Sequence, residues 1–167
     1  TYSFFALYAN IDHFDPESEA IPYEKRPELD RWIISALNSL IKEVTTDLDD
    51  YEPTKAARAI SDFVNDQLSN WYVRLARKRF WGGGMSEDKV SAYQTLYHCL
   101  VTVAKLIAPV SPFYADRLYR DLTNGDRSVH LTAFPEADEA LIHKGLEESM
   151  DYAQRISSMV LALRRRM

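Results

Sequence analysis

Four basic side chains lie close together in a sequence that is acidic overall. Arg74, Arg77, Lys78 and Arg79 fall within residues 70–84, a stretch with four aromatic residues and no Asp or Glu. The whole chain of 167 residues has 20 Lys and Arg against 25 Asp and Glu. Guanidinium and ammonium groups bind phosphate oxygens, and an exposed aromatic ring is a platform on which a base can stack. These residue types are the ones that a surface for single-stranded nucleic acid requires.

The spacing of this segment places its polar residues on one side of a helix, since a helix has 3.6 residues per turn. The predicted solvent-facing stripe consists of Asn70, Arg74, Arg77, Lys78 and Trp81. Arg79 stands to one side of it, and Phe80 and Trp81 at the helix end offer rings for stacking. A second interpretation stays open, because basic residues in a last helical turn also satisfy free carbonyl groups and the negative end of the helix dipole. Composition alone supports both interpretations equally.

Charge is distributed unevenly along the chain. Residues 54–81 carry six basic and two acidic residues, whereas residues 1–53 carry four basic and twelve acidic ones. Salt screens charges beyond about 10 Å, so a polyanion responds to a local patch more than to the net charge. The run Arg164 to Arg166 is also basic, and there a solvated tail is the favoured interpretation.

Apolar residues recur at spacings of three and four along most of the chain, which predicts amphipathic helices. The predicted helices run from about 28 to 48, 54 to 81, 86 to 107, 112 to 122 and 138 to 163. The second of them has Leu68, Trp71 and Leu75 on its buried face. Residues 1–27 show no sustained period and are predicted to be an irregular lead-in, and residues 128–131 a short extended segment. We expect an all-α fold, an antiparallel bundle of four to five long helices.

Catalytic and metal-binding patterns are weak. A di-metal bundle uses Glu-x-x-His pairs, and the spacing of Glu139 and His143 is one residue longer. His98 and Cys99 point about 100° apart on a helix, and the chain has no second cysteine for a zinc site. The glycines at 82–84 lack the Lys-Ser/Thr of a phosphate-binding loop. We therefore expect no catalytic residue, no metal and no bound cofactor in this chain.

Composition indicates a globular protein. The chain is 46% hydrophobic and has the length of one domain. Its apolar runs are far shorter than the roughly 20 residues that cross a bilayer, so we expect no membrane partner. A single cysteine favours a reducing compartment, and the cytoplasm is the expected location. The chain begins at Thr1 without an initiator methionine, so we expect it to be a piece of a longer protein. We also expect it to be a monomer.

Several stretches resemble the anticodon-binding domain of class I isoleucyl-tRNA synthetases. "NWYVRLARKRFW" at 70–81 is similar to the signature helix of that domain. "FFALYANIDHF" at 4–14 is similar to the segment after the catalytic domain, and "RPELDRWIISALNSLIKEV" at 26–44 to the first helix of the anticodon domain. "LIAPVSPFYADRLYRDL" and "SVHLTAFPEAD" are similar to later landmarks. The resemblance covers nearly the whole chain, and the ending Arg-Lys-Arg-Phe-Trp favours the isoleucine enzyme.

The resemblance implies that residues 1–27 lead in from a catalytic domain that this chain lacks. Residues 28–167 would then bind the anticodon stem-loop of an isoleucine tRNA, with the start of a C-terminal region at about 138–167. The parent enzyme attaches isoleucine to its tRNA with ATP and Mg, using His-Ile-Gly-His and Lys-Met-Ser-Lys-Ser signatures that this sequence does not contain.

The resemblance and the helix register together give a set of expected tRNA-binding residues. Arg74, Arg77, Lys78 and Arg79 are expected to contact phosphates, and Trp81 with Phe80 to stack on a splayed base. Asn38, Arg31 and Asn70 are expected to bond base edges, which specify sequence where phosphates only position the RNA. Two further arginines of the family are replaced here by Ala36 and Leu75, so their contacts are not carried over.

Other assignments remain open from the sequence. The valyl- and leucyl-tRNA synthetases have related anticodon domains. The alternative from another functional class is a helical bundle that binds a protein, with its basic residues facing an acidic surface of the partner. Such a bundle would expose a broad apolar patch. A further alternative is an enzyme built on a helical bundle, but this chain lacks the catalytic residues that such an enzyme needs.

Overall fold

The computed structural model describes residues 1–164, which form a bundle of α-helices with no strand among them. A π-helical segment, Phe63–Val73, joins the helix Pro53–Asp62 to the helix Arg74–Trp81 without a break, so residues 53–81 form one rod. Three short 3₁₀ turns lie at Tyr23–Lys25, Val129–Leu131 and Glu139–Leu141. The helices are α1 (Tyr2–Ile11), α2 (Glu28–Asp49), α3 (Pro53–Asp62), α4 (Arg74–Trp81), α5 (Glu87–Ile107), α6 (Pro112–Thr123) and α7 (Lys144–Arg164). The predicted all-α helical bundle is confirmed.

The main apolar core contains residues from each of α1 to α6. The stripe predicted for α2 faces inward, with Ile33 and Leu37 fully buried and Trp32 2% exposed. Leu96 and Ala104 of α5 are fully buried in the same core. Each large apolar side chain that leaves water in this way stabilises the fold by about 1.5–3 kcal/mol. Residues 53–81 therefore pack against α2 and α5.

The π-helical segment changes which residues of the rod face inward. A π-helix bonds each N–H to the carbonyl five residues earlier, so it has more residues per turn than an α-helix. A constant period of 3.6 predicts that Trp71 and Leu75 are buried, but Leu75 is 50% exposed. The structure instead buries Tyr72, Ala76 and Phe80, one position later at each turn. The predicted buried face is therefore wrong at Leu75, whereas Trp71 is half-buried against the core.

The predicted irregular lead-in is wrong over its first part, because residues 2–11 form α1. The prolines that argued against a helix lie after it. Phe5 is 5% exposed and packs against Phe14, Tyr93 and Tyr97, with ring centroids 6.1–6.2 Å away. Aromatic contacts to α5, which leave no regular period in the sequence, therefore stabilise this helix.

Two predictions near the C-terminal end are also corrected. Residues 128–131 are not extended, since Val129–Leu131 form a 3₁₀ turn in which Ser128 accepts a hydrogen bond from the backbone N–H of His130. The last helix begins at Lys144 rather than near Asp138, whose carboxylate instead accepts a bond from the N–H of Ala140 in a short 3₁₀ turn. In both places a side-chain acceptor stabilises a tight turn.

Candidate nucleic-acid interface

The outer face of α4 presents four side chains to solvent, Arg74, Arg77, Lys78 and Trp81, which we call the basic surface. Trp81 is 57% exposed at the last position of the helix. No acidic side chain within residues 1–164 pairs with any of the three cations. Their charge is therefore not neutralised inside this part of the protein.

The indole and one guanidinium of the basic surface interact with each other. The Cζ atom of Arg77 lies 5.9 Å from the centroid of the Trp81 ring, within the range of a cation–π contact. Such a contact holds the ring and the cation side by side while the edge of the guanidinium stays free to donate hydrogen bonds. The pair can contact a base and its phosphate at the same time.

Asn70 and Arg31 also have groups without internal partners. Asn70 is exposed and lies one turn before Arg74, at the end of the π-helical segment. Arg31 is half-buried on α2, and its Nε is fully buried and has no hydrogen-bond partner within residues 1–164. The amide of Asn70 is open to RNA, whereas the Nε of Arg31 is closed to solvent, and the predicted contacts of both residues with base edges stay predictions.

Arg79 is not part of the basic surface, which contradicts its predicted contact with phosphate. Its Nη1 and Nη2 donate to the two carboxylate oxygens of Asp30 at 2.6 and 2.8 Å. Its Nε donates to Asp88 at 3.0 Å, and its side chain is only 15% exposed. This bidentate pairing raises the pKa of Arg79 further above its usual value, although burial acts in the opposite direction. The guanidinium is therefore occupied by protein carboxylates.

Phe80 is also misassigned, because its ring lies inside the core. It is 1% exposed and meets Tyr93 edge to face at 4.9 Å and Phe4 at 5.1 Å. The shifted register of the rod explains the error, since it turns Phe80 inward and leaves Trp81 outside. The stacking role predicted for Phe80 is wrong.

Asn38 is similarly unavailable to RNA. It is 4% exposed, its amide N–H donates to the carbonyl of Ile34 at 2.9 Å, and its amide oxygen accepts from the N–H of Asp138 at 2.8 Å. The polar face of α2 that the sequence predicted is covered here by the segment before α7. The predicted bond from Asn38 to a base edge is therefore wrong.

The sequence did not predict the buried carboxylate of Asp30, which lies behind the basic surface. The carboxylate of Asp30 has no solvent exposure, and besides Arg79 it accepts bonds from the hydroxyls of Tyr72 at 2.9 Å and Ser91 at 2.6 Å. It thus connects α2, the π-helical segment, α4 and α5. The sequence signal was an acid placed between Leu29 and Trp32 of an apolar stripe. This network fixes the direction in which α4 presents the basic surface.

Other reactive groups do not form a site within residues 1–164. Cys99 is fully buried, and burial raises the pKa of its thiol, as expected of a packed cysteine. The described residues contain no group of three His, Cys, Asp or Glu side chains arranged to hold a metal ion. None of the described helices has the length and apolar character that crossing a membrane requires. The run Arg164 to Arg166 was predicted to be a solvated tail. Arg164 is exposed, and the other two residues lie outside the described residues.

The sequence of this chain is similar to those of known tRNA ligases. Residues 30–167 match the family model described as the anticodon-binding domain of tRNA ligase. The chain is 68% identical over 166 residues to the isoleucine–tRNA ligase of Porphyromonas gingivalis. It is 64% identical over 171 residues to that of Bacteroides fragilis, and 52% over 163 residues to that of Dehalococcoides mccartyi.

These matches cover 99% of the chain for the first two relatives and 95% for the third. The chain spans only 15–16% of the length of those proteins. The family model covers most of the chain, including α2 to α7 and the whole basic surface. The chain therefore belongs to the family of anticodon-binding domains of tRNA ligases.

Proposed function

We propose that this chain recognises the anticodon stem-loop of an isoleucine tRNA as one domain of an isoleucine–tRNA ligase. The observation that carries the proposal is the basic surface, where three cations with no acidic partner among residues 1–164 are aligned with an exposed indole on one helix. The identity of 64–68% to isoleucine–tRNA ligases supports the choice of amino acid. Recognition rather than catalysis is the role of this domain, and the chemistry with ATP and Mg belongs to another part of the parent enzyme.

The cations and the indole ring of the basic surface have different roles in this proposal. Arg74, Arg77 and Lys78 neutralise phosphates of the anticodon loop, which gives affinity and a dependence on salt. Trp81 stacks on a base that has left the loop, and Asn70 bonds a base edge. Arg31 is a further donor in the first turn of α2. Its neighbour Asp30 pairs with Arg79 of α4.

The remaining parts of the chain have supporting roles. Residues 1–27 connect the bundle to the catalytic domain of the parent enzyme, and α7 begins the region that follows the bundle. One copy of the chain binds one stem-loop, in the cytoplasm where tRNA is aminoacylated. These assignments follow from the proposed function.

The test is a fluorescence anisotropy titration with a labelled stem-loop that carries the isoleucine anticodon. We expect Trp81→Ala to weaken binding about tenfold, because stacking on a base contributes about 1–3 kcal/mol. Tyr51→Ala is the matched control, since Tyr51 is 91% exposed at the turn between α2 and α3, far from α4. We expect the control to bind as the unchanged chain does.

Stem-loops with exchanged anticodons complete the experiment. Weaker binding of the exchanged loops is expected if base edges are read. Equal binding of all loops by the chain and both variants would contradict the proposal. Failure of every RNA to bind would favour the rival function, a bundle that binds an acidic protein.

A further inference from the structure

The loop after α4 does not by itself fix the position of Trp81. Three consecutive glycines, Gly82 to Gly84, connect α4 to α5, and all three are exposed. A Cβ added at Gly83 or Gly84 would meet nothing within 4 Å, so the protein does not pack around these two positions. Gly84 also has a φ of 75°, which glycine adopts without strain. The orientation of Trp81, the last residue of α4, therefore depends on contacts from outside this loop.

One such contact comes from Lys89 in the first turn of α5. Its side chain is 3% exposed, and its Nζ donates to the backbone carbonyl of Gly82 at 2.8 Å. That carbonyl follows Trp81 directly in the chain and belongs to a helix end, where carbonyl groups lack helical partners. Lys89 therefore caps the last turn of α4 from a neighbouring helix.

The same ammonium group also binds the segment that follows α1. Lys89 Nζ lies 2.6 Å from Oδ2 of Asp12, the residue after the end of α1, and the hydroxyl of Tyr93 donates to the same oxygen. Burial alone would raise the pKa of Asp12, but the bonds from Lys89 and Tyr93 outweigh it and hold the pKa below its usual value. Asp12 is thus charged at neutral pH, and the pair with Lys89 is formed.

We propose that Lys89 is a positioning residue that fixes Trp81 in its exposed orientation and links that orientation to the docking of α1. The link is a chain of two bonds, from Asp12 to the ammonium and from the ammonium to the carbonyl after Trp81. Where RNA binding is concerned, the inference rests on the proposed function. Its structural part, the order of the Trp81 ring, does not depend on RNA.

Loss of Lys89 affects the ring more than the cations of α4. Arg79 still holds the last turn of α4 through Asp30 and Asp88, and Phe80 stays in the core, so Arg74, Arg77 and Lys78 keep their places. Trp81, at the final position of the helix, loses the bond that fixes the residue after it, and RNA must then order the ring at the moment of binding, which weakens affinity. Lys89 contacts no phosphate in this arrangement, so the salt dependence of binding should not change.

The test uses the chain with Lys89→Met, which keeps an apolar stem of similar length. Relaxation of the ¹⁵N-labelled indoles should show that Trp81 becomes mobile on the nanosecond timescale while Trp32, in the core, stays rigid. Affinity for the stem-loop should fall about fivefold, part of the contribution of a stacked base, at an unchanged salt slope. Lys105→Met, which removes a lysine from the other end of α5, is the matched control and should change neither quantity.

A second variant keeps the inference testable if Lys89→Met does not fold. Asp12→Asn leaves the bond from Lys89 to Gly82 possible but removes the charge that holds the ammonium in place. It should increase the mobility of the Trp81 indole by a smaller amount. A rigid Trp81 in a folded Lys89→Met chain, or in Asp12→Asn if only that variant folds, would overturn the inference. A shallower salt slope in Lys89→Met would overturn it as well, because Lys89 would then be a phosphate ligand.

The two proposals fail in different ways. If the unchanged chain does not bind RNA, the proposed function fails, but the mobility of Trp81 still decides the role of Lys89. If RNA binds and Lys89→Met leaves Trp81 rigid, only the positioning role fails.

Discussion

Replacing Arg74, Arg77 and Lys78 together by alanine is expected to weaken binding of the anticodon stem-loop about a hundredfold at about 0.1 M salt. Each cation that neutralises a phosphate of a single strand adds about 0.7 to the slope of log affinity against log salt. Loss of three such contacts should make the slope shallower by about 2. Anisotropy titrations at several salt concentrations measure both quantities.

The size of this effect follows from the free state of the three cations. They pair with no acidic group within residues 1–164, so RNA does not have to break internal ion pairs to bind them. A control chain with Lys55, Arg58 and Arg127 changed to alanine loses the same charge from other exposed positions. An equal loss of affinity in both chains would mean that total charge, not the basic surface, attracts RNA.

Replacing Asp30 by alanine is expected to lower the free energy of unfolding by about 3–5 kcal/mol. The carboxylate is fully buried, and its removal leaves Arg79 with Asp88 as its acidic partner and takes an acceptor from the hydroxyls of Tyr72 and Ser91. Breaking a buried ion pair from one side is costly, because the remaining charge stays away from water. Urea denaturation followed by circular dichroism measures the change.

Asp88→Ala is the matched control for this prediction. Asp88 binds the same guanidinium, but its side chain is 54% exposed, and exposed pairs contribute at most about 1 kcal/mol. We expect its replacement to change stability by no more than that. Equal effects of the two replacements would show that Asp30 is not the centre of the network that holds α4.

The sequence predicts the helices whose period is regular and whose partners are all apolar. The stripe of α2 is correct because Trp32, Ile33 and Leu37 need only an apolar neighbour, whichever helix supplies it. The glycines at 82–84 end the rod at the predicted place for a local reason that requires no tertiary contact. Ser86 caps α5 as its type indicates, by accepting a bond from the N–H of Lys89.

The errors arise where structure depends on distant residues. The π-helical segment has no marker in the sequence, so a constant period turns Phe80 outward although the ring is buried. The partner of Arg79 stands 49 residues earlier in the chain, so four neighbouring cations look equivalent when one of them is already paired. Asn38 is covered by a backbone N–H 100 residues later. Three of the nine predicted RNA-binding residues are lost for these reasons.

The most direct test of the account is the ¹H–¹⁵N spectrum of the indole groups during titration with the isoleucine anticodon stem-loop. The chain has three tryptophans, of which Trp32 is buried, Trp71 is half-buried and Trp81 is the most exposed. We predict that the Trp81 resonance shifts and saturates with RNA, while the Trp32 resonance keeps its position. RNA that binds tightly and leaves the Trp81 resonance unmoved would contradict the assignment of the basic surface as the RNA contact.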